Sequence, residues 1–309
     1  MIQVVGLRMA EQWCVRVPVE NGETVRQELI REGILDTTLK VRREGSDICI
    51  PVTTQRQGTE RGRFEPNPAR VELPRHELVG GIAIMQECNP VGARHILEAR
   101  PSLHTVVCPE GEVQGEYRTR EFQVLAGEHT TKTEVIEYGH RFVIDLVAAY
   151  FSARLSTERQ RILAHVTANE TVLDMFAGVG PFAITLADRA AFVAAADLNP
   201  KAIGLMLENI AKNRVKNVLP LLADARHLPD ILPWKFDRIV MNLPLSGTAF
   251  LSDAFRLAKP GGTIHFYSLV SAEGEHQDTI QDLGGEIVTE RMVRSYSPGQ
   301  WHAVYDILT

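Results

Sequence analysis

The residues best suited to chemistry are polar side chains at the ends of four apolar runs. Asp174 and Asp197 end the first two runs, Asp224 directly follows the third, and Asn242 ends the fourth. Carboxylate and amide oxygens at such positions can accept hydrogen bonds from a bound ligand. One acid at the end of an apolar run is common by chance, but a set of four predicts a ligand site.

A tight turn is predicted directly after Asp174. Gly178, Gly180 and Ala183 match the G-x-G-x-x-A fingerprint of dinucleotide-binding turns, which alone is a weak signal. Glycine is needed there because the backbone must turn sharply and let a ligand approach its N–H groups. Asp197 lies 19 residues after Gly178, about the spacing at which an acid meets ribose hydroxyls. These features also fit an NAD-dependent oxidoreductase, so the ligand stays open at this point.

Strands and helices alternate from residue 138 onward, and this alternation would bring the polar ends together. Strands are predicted at Phe142–Asp145, Val172–Asp174, Phe192–Asp197, Val218–Ala223, Arg238–Asn242 and Thr263–Ser268. Helices are predicted at Ala148–Ser152, Pro181–Leu186, Pro200–Asn213 and Gly247–Ala258. The pattern is typical of a doubly wound, Rossmann-like α/β sheet. Right-handed crossovers place the carboxyl ends of its strands on one edge, where ligands bind.

The first half of the chain predicts two small α+β domains. Their strands are expected at Trp13–Pro18, Leu39–Arg43, Asp47–Val52, Ile82–Met85, Thr105–Cys108 and Gly115–Gly127, and their helices at Gly22–Glu32 and Val91–Ala99. The polar segment Thr53–Arg70, rich in arginine, glycine and proline, is predicted to be a connector. We therefore place the domains at residues 1–60, 61–138 and 139–309.

Composition indicates a soluble, cytoplasmic protein. No uninterrupted apolar run reaches the roughly 18–20 residues of a membrane helix, and the N-terminus lacks a signal-peptide pattern. The four cysteines are far apart without C-x-x-C spacing, which favours buried thiols over zinc ligands or a disulfide framework. A disulfide stays open if the source is a hyperthermophile.

The net charge of −6 gives no support to a nucleic-acid partner. Any RNA binding must therefore come from local arginines. The candidates are Arg42, Arg43, Arg56, Arg61 and Arg63.

The turn after Asn242 favours methyl transfer over hydride transfer. Asn242-Leu243-Pro244-Leu245 resembles the Asn-Pro-Pro-aromatic motif of methyltransferases that act on amino and ring nitrogens. The match is partial, because Leu243 replaces the first proline and Leu245 replaces the aromatic residue.

Several further stretches make the resemblance more specific. They are Gly115–Glu121, Tyr150–Arg159, Asp174–Gly180, Asp197–Pro200, Asn242–Pro244 and Arg294–Gly299. On these residues the chain resembles, over nearly its whole length, the archaeal and eukaryotic type of tRNA (guanine-37-N1) methyltransferase. Ala153 departs from the proline usual at that position. The family has a small tRNA-contacting N-terminal domain, a middle domain and a class I methyltransferase domain, which correspond to the three predicted here.

The resemblance implies S-adenosylmethionine as cofactor and tRNA as partner. We expect action as a monomer, since one chain holds both the RNA-binding and the catalytic parts. The implied cofactor-binding residues are Arg159, Phe176, Ala177, Gly178, Gly180, Asp197, Leu198, Asp224, Ala225 and Asn242. The implied catalytic residues are Glu158, Arg118 and Asn242, and the implied substrate-binding residues are Tyr150, Arg154 and Arg118. No metal is expected, since the methyl donor already carries an activating sulfonium.

The chemistry agrees with the roles that the resemblance assigns to Glu158 and Arg118. Guanine N1 carries a proton and is a poor nucleophile until that proton is removed. A free glutamate, with a pKa of about 4.3, is a weak base, and burial makes a carboxylate more basic. A cation at O6 would stabilise the enolate that develops. Without the resemblance, both residues fit ordinary surface charges.

Three other functions stay open. The first is transfer of the aminocarboxypropyl group of S-adenosylmethionine to a modified guanosine, as in related wybutosine-pathway enzymes. The second is a dinucleotide-dependent oxidoreductase, which would leave the two N-terminal domains and Asn242 unexplained. The third is a non-enzymatic RNA-binding module.

Overall fold

The computed structural model describes residues 9–67, 73–115 and 119–309, with the backbone alone at 112–114. The chain divides into two compact units, Met1–Glu72 and Leu73–Thr309. No helix in these described ranges has the length and apolar character needed to cross a bilayer.

The first unit is a four-stranded antiparallel sheet with one helix. Its elements are β1 (Ala10–Pro18), α1 (Gly22–Arg31), β2 (Arg42–Glu44), β3 (Asp47–Val52) and β4 (Thr59–Phe64), and the strand order is β2-β3-β1-β4. Leu29 of the helix is fully buried and clusters with Ile50 and Val52 of the sheet. The helix therefore covers one face of the sheet, as the alternation of apolar residues requires.

The prediction that Thr53–Arg70 is a connector is wrong, because this segment contains strand β4. This strand pairs with β1 in antiparallel register, and its Gly62 and Phe64 are buried. Charged residues fill its exposed positions, and a single large apolar side chain gives too weak a period of two to be read as a strand. The predicted domain boundary at residue 60 falls inside β4.

The second unit begins with a four-stranded sheet and a hairpin. These elements are β5 (His76–Val79), β6 (Ile82–Met85), α2 (Pro90–Ala99), β7 (Thr105–Gln114), β8 (Thr119–Gly127), β9 (Lys132–Glu137) and β10 (His140–Asp145). The sheet order is β5-β6-β7-β8, and β9 pairs with β10 alone. Asn89 caps α2 by accepting hydrogen bonds from the N–H groups of Val91 and Gly92.

The cysteines follow the prediction in one pair and contradict it in the other. Cys14 and Cys49 are buried free thiols. Cys88 and Cys108 form a disulfide across a separation of 20 residues, contrary to the expectation of thiols. Because β6, which ends just before Cys88, pairs with β7, which carries Cys108, the fold brings these residues together without any short sequence motif.

A seven-stranded sheet forms the rest of the second unit. Its strands are β11 (Thr171–Asp174), β12 (Phe192–Asp197), β13 (Val218–Leu222), β14 (Phe236–Met241), β15 (Ala258–Val270), β16 (Glu286–Ser297) and β17 (Gln300–Leu308). The order is β13-β12-β11-β14-β15-β17-β16. The first five of these, β11 to β15, run parallel to one another, whereas β16 and β17 form an antiparallel hairpin that pairs with β15 through β17.

Helices cover both faces of this sheet. They are α3 (Ser156–His165), α4 (Pro181–Leu186), α5 (Pro200–Lys212), α6 (Leu228–Ile231), α7 (Leu251–Leu257) and α8 (Gln277–Asp282). Consecutive strand residues enter opposite cores: Leu173 and Ile239 belong to one cluster, and Val172 and Val240 to the other. This explains the continuous apolar runs of the parallel strands. The expectation of a Rossmann-like α/β fold is confirmed.

One predicted helix is wrong. Residues 148–152 form a turn and an extended segment, and a short 3₁₀ turn, Ala153–Leu155, then leads into α3. The carbonyl of Ala148 accepts a hydrogen bond from the side chain of Asn199, at 2.7 Å. This tertiary contact overrides a local preference spread over only a few residues.

Asn209 of α5 connects the hairpin to the seven-stranded domain. Its side chain is fully buried, accepts from the N–H of Val143 at 2.7 Å, and donates to the carbonyls of Val143 and Val179 at 3.0 Å each. One amide thus satisfies the free edge of β10 and the glycine turn together.

Candidate active site

A cavity of about 520 Å³ opens where the parallel strands end. The loops after four of these strands contribute to its wall. The predicted residues that line it are Arg159, Phe176, Ala177, Gly178, Asp197, Leu198, Asp224, Ala225, Asn242 and Tyr150. The structure therefore brings most of the predicted site residues to one place.

The glycine turn has the backbone conformation that the sequence predicts. Gly178 and Gly180 have φ values of +55° and +88°, in the left-handed region that side chains disfavour. A Cβ at Gly180 would lie 2.8 Å from Cγ of Met206, so the space is closed as well. Gly180 shapes the turn from behind the cavity, whereas Gly178 lines it.

We predict that Gly180→Ala lowers the free energy of unfolding by about 2–4 kcal/mol, because positive φ and overpacking add together. Urea denaturation measures the change. Gly204→Ala is the matched control: it lies in α5, where an added Cβ would meet no atom within 4 Å, so it should stabilise by roughly 0.5–1 kcal/mol. Equal stability of the Gly180→Ala protein and the wild type would contradict the prediction.

Asp197 holds the turn and keeps acceptor capacity for a ligand. Its two carboxylate oxygens accept from the N–H groups of Gly178, at 2.7 Å, and Asn199, at 2.9 Å. Burial raises the pKa of Asp197, and the two N–H groups oppose that effect. Each carboxylate oxygen has a second lone pair, so the group can still accept from a pair of ribose hydroxyls.

Asp174 lies buried at the start of the same loop and does not line the cavity. It is 1% exposed, and neither carboxylate oxygen has a hydrogen-bond partner among the described residues. Burial raises the pKa of Asp174 to about 7 and the nearby charge of Asp197 adds to this effect, while the backbone N–H groups of Phe176 and Ala183, which approach the carboxylate without well-aligned hydrogen bonds, oppose it. The carboxyl group is therefore largely protonated below neutral pH.

A pH dependence of stability follows from Asp174. Between its ordinary pKa of 3.8 and its raised pKa of about 7, the folded protein holds a proton that the unfolded chain lacks. The contribution of Asp174 to stability therefore rises as pH falls through this window. Because Asp174→Asn cannot take up this proton, we expect the stability of the wild type relative to the variant to increase as pH falls from 8 to 4, as measured by urea denaturation. The exposed Asp282→Asn serves as control and should track the wild type at every pH.

Two further strand ends carry polar groups toward the cavity. Asp224 caps the short 3₁₀ turn Ala225–His227 and accepts from Arg226, whose hydrogen bond lowers the pKa of Asp224. Asn242 keeps a buried side-chain oxygen without a hydrogen-bond partner in the described residues. An unpaired buried acceptor is costly, so this oxygen is suited to an N–H group of a bound ligand.

Glu158 lies in a buried ion-pair network and is not among the residues that line the cavity. Its carboxylate accepts from Arg161 at 2.9 Å, from the hydroxyl of Tyr267 at 3.1 Å, and from Arg291. Arg161 also pairs with Asp306 at 2.6 Å. Glu158 is only 4% exposed, so the alternative of a surface ion pair on a helix is wrong.

Arg159, the next residue, reaches the cavity and is held firmly. Its guanidinium donates to Glu137 at 2.6–3.0 Å and to the carbonyl of Ser152 at 3.2 Å. It also lies over the rings of Phe151 and Phe182. The structure thus places a fixed cation in the wall of the cavity.

The three predicted substrate-binding residues differ in position. Tyr150 lines the cavity and is 54% exposed. Arg154 pairs with Glu77 at 2.9 Å and lines a different cavity. Arg118, to which the resemblance assigns guanine O6, lies outside the described residues.

Two cavity residues have no role in the sequence-based prediction. His302 is 2% exposed, and both of its ring nitrogens lack hydrogen-bond partners among the described residues. Burial and the charge of Arg294 lower the pKa of His302 to about 4, while Glu158 opposes them. The second residue is Arg294, which also lines the cavity. His302 and Arg294 both lie in the β16–β17 hairpin, which we did not predict. The stretch Arg294–Gly299 was the available signal for it.

The strand order, the glycine turn and the acid at the end of the second parallel strand define a class I methyltransferase. Residues 133–287 match the TRM5/TYW2 methyltransferase domain, and residues 14–60 match the tRNA methyltransferase 5 N-terminal domain. The chain belongs to the TRM5/TYW2 methyltransferase family.

Relatives and solved structures agree with that assignment. The chain is 38% identical to the tRNA (guanine(37)-N(1))-methyltransferase Trm5b of Pyrococcus abyssi, over 94% of this chain and 97% of the relative. It is 31% identical to a tRNA(Phe) (4-demethylwyosine(37)-C(7)) aminocarboxypropyltransferase of Methanocaldococcus jannaschii, over 75% of this chain and 96% of the relative.

Two solved structures resemble the whole chain. The crystal structure of Trm5b from Pyrococcus abyssi gives a TM-score of 0.77 at 35% identity, covering 96% of this chain and 99% of that one. The complex of aTrm5 with tRNALeu gives 0.75 at 28% identity, with the same coverage.

Proposed function

We propose that this protein transfers the methyl group of S-adenosylmethionine to N1 of guanine 37 in tRNA. The observation that carries this proposal is similarity to Trm5b along 94% of the chain, including the N-terminal domain match. The aminocarboxypropyltransferase relative is matched over only 75% of the chain. Methyl transfer therefore accounts for more of the molecule.

The residues at the cavity fit S-adenosylmethionine. Asp197 offers carboxylate oxygens for the ribose, Phe176–Gly178 offer a close backbone for the methionine part, and Asp224 with Ala225 would border the adenine. Two observations support this fit: Gly178 lines the cavity in a backbone conformation that side chains disfavour, and Asp197 is already oriented by two N–H groups. When bound, S-adenosylmethionine supplies a methyl group activated by a sulfonium.

The chain's own residues would prepare the guanine. Asn242 presents its unpaired oxygen, which can accept from the N–H edge of the base. Glu158 is our proposed base for the N1 proton, and Arg118 our proposed cation at O6. Because Arg291, Arg161 and Tyr267 hold the Glu158 carboxylate, it needs a lone pair turned toward the cavity when the tRNA is bound.

Product mapping tests the proposed function. The protein is incubated with S-adenosylmethionine and an unmodified tRNA transcript that has guanine at position 37, and the nucleosides are analysed by mass spectrometry. We expect N1-methylguanosine, and none from a transcript with adenine at that position. An aminocarboxypropyl adduct, which is much heavier than a methyl group, would instead support the second function.

Thermal shift separates the remaining functions. A ligand that binds only the folded state stabilises it by mass action. S-adenosylmethionine should raise the melting temperature and NAD should not; the reverse result would support an oxidoreductase. We also propose that the protein acts as a monomer in the cytoplasm. Light scattering of the tRNA complex would measure how many protein chains bind one tRNA.

A further inference from the structure

A second concave site lies in the same unit as the catalytic cavity, and its volume is about 500 Å³. Three arginines line it, Arg75, Arg120 and Arg154, against one acid, Glu77. Three positive charges against one negative charge leave a surplus of two. Glu77 is already paired with Arg154 at 2.9 Å, so the site is an anion site by charge.

Two of these arginines carry positive charge that no nearby acid offsets. Arg75 and Arg120 have no acidic partner in the part of the chain that the structure describes. By contrast Arg42, Arg56 and Arg63, which we predicted to bind RNA, each form an ion pair with a glutamate. Those ion pairs offset three of the five arginines predicted to bind RNA, whereas Arg43 and Arg61 form no ion pair with a described acid.

The surroundings of Arg120 favour a phosphate over a small inorganic anion in water. Its guanidinium lies 5.2 Å from the centre of the Phe122 ring, and Ile84, Met85 and Pro109 give the site an apolar floor. Guanidinium forks match phosphate oxygens with two parallel hydrogen bonds, and a low-dielectric floor strengthens them. The volume leaves room for a phosphodiester and its sugar.

The position of the site connects it to the catalytic cavity. Tyr150 and Ser152 line the catalytic cavity, and Arg154 lines the second one. The Cα atoms of residues 152 and 154 can be at most about 7 Å apart. We propose that Arg75, Arg120 and Arg154 bind backbone phosphates of the nucleotides next to the guanine that enters the catalytic cavity. This inference rests on the proposed function.

The test compares tRNA binding by the full-length protein and its Arg75→Gln/Arg120→Gln variant. Filter binding of an unmodified tRNA transcript should show a dissociation constant raised about 10-fold or more, with a salt dependence weakened by roughly one to two in log–log slope. Arg256→Gln is the matched control, because that arginine is exposed and lines neither cavity. It should bind tRNA like the wild type.

A chemical change in the RNA identifies the ligand group. An anticodon stem-loop carrying neutral methylphosphonates beside guanine 37 should bind the wild type as weakly as the variant, and the variant should lose little further affinity. The inference would be overturned if the variant and the wild type bound tRNA with equal affinity and equal salt dependence. It would also be overturned if the methylphosphonate stem-loop still bound the wild type more tightly than the variant by the same factor.

The two proposals fail separately. A wild-type protein that binds tRNA through these arginines but leaves guanine 37 unmethylated would overturn the proposed function alone. A wild-type protein that methylates guanine 37 and whose tRNA binding does not depend on Arg75 and Arg120 would overturn this inference alone.

Discussion

Glu158→Gln should lower the turnover number for guanine methylation by about 100- to 10,000-fold while leaving the dissociation constant for S-adenosylmethionine unchanged. Glutamine keeps the size of the side chain and can still accept from Tyr267, but it cannot take a proton from N1 at neutral pH. Single-turnover rates with saturating tRNA measure the chemical step directly.

The burial of Glu158 makes a structural control necessary. Breaking a buried ion pair can cost about 3–5 kcal/mol of stability whether or not the residue is a base. Glu170→Gln is well matched, because Glu170 pairs with Arg238 at 2.7 Å and lines neither cavity. Glu170→Gln should lower stability and keep turnover. If Glu158→Gln behaves in the same way, Glu158 is part of the scaffold and not the base.

Asp197→Asn should raise the dissociation constant for S-adenosylmethionine by about 100-fold, since charge-assisted hydrogen bonds contribute roughly 1.5–3 kcal/mol each. The amide has only one acceptor oxygen, whereas the carboxylate uses both oxygens on Gly178 and Asn199. The variant must therefore lose either a turn contact or a ribose contact. Isothermal titration gives the affinity.

A ligand lacking one ribose hydroxyl separates these two losses. If Asp197 binds the ribose, the 2′-deoxy or the 3′-deoxy analogue of S-adenosylhomocysteine should cost the wild type more affinity than it costs Asp197→Asn. An equal loss in both proteins would show that Asp197 only supports the glycine turn. tRNA binding without the donor should be the same in both.

The parallel sheet and its ligand edge were predictable because they depend on local signals. Gly178, Gly180 and Asp197 lie close in sequence, and strand–helix alternation fixes the rest. The arrangement around Glu158 was not predictable, because Tyr267 and Arg291 reach it from strands that are 109 and 133 residues away in the sequence. The β16–β17 hairpin escaped prediction for a different reason: apolar residues such as Val288, Tyr296 and Trp301 are exposed in it, so its alternation of apolar and polar residues is weak.

The arginines show the same limit on the RNA-binding side. Sequence counts treat Arg42 and Arg120 alike, but only the fold shows that Arg42 is neutralised by Glu44. The disulfide between Cys88 and Cys108 likewise depends on strand pairing and not on spacing.

The contacts of the β9–β10 hairpin bear on where the chain could be divided into independently folding pieces. Residue 139, our predicted start of the last domain, lies in the turn of this hairpin, between its two strands. Excision there would remove Glu137 and leave the buried guanidinium of Arg159 without its carboxylate. It would also strip β10 of its partner while Asn209 still anchors it. A fragment that begins ahead of Lys132 preserves these contacts, and it is the shorter one starting at 139 that we expect to aggregate.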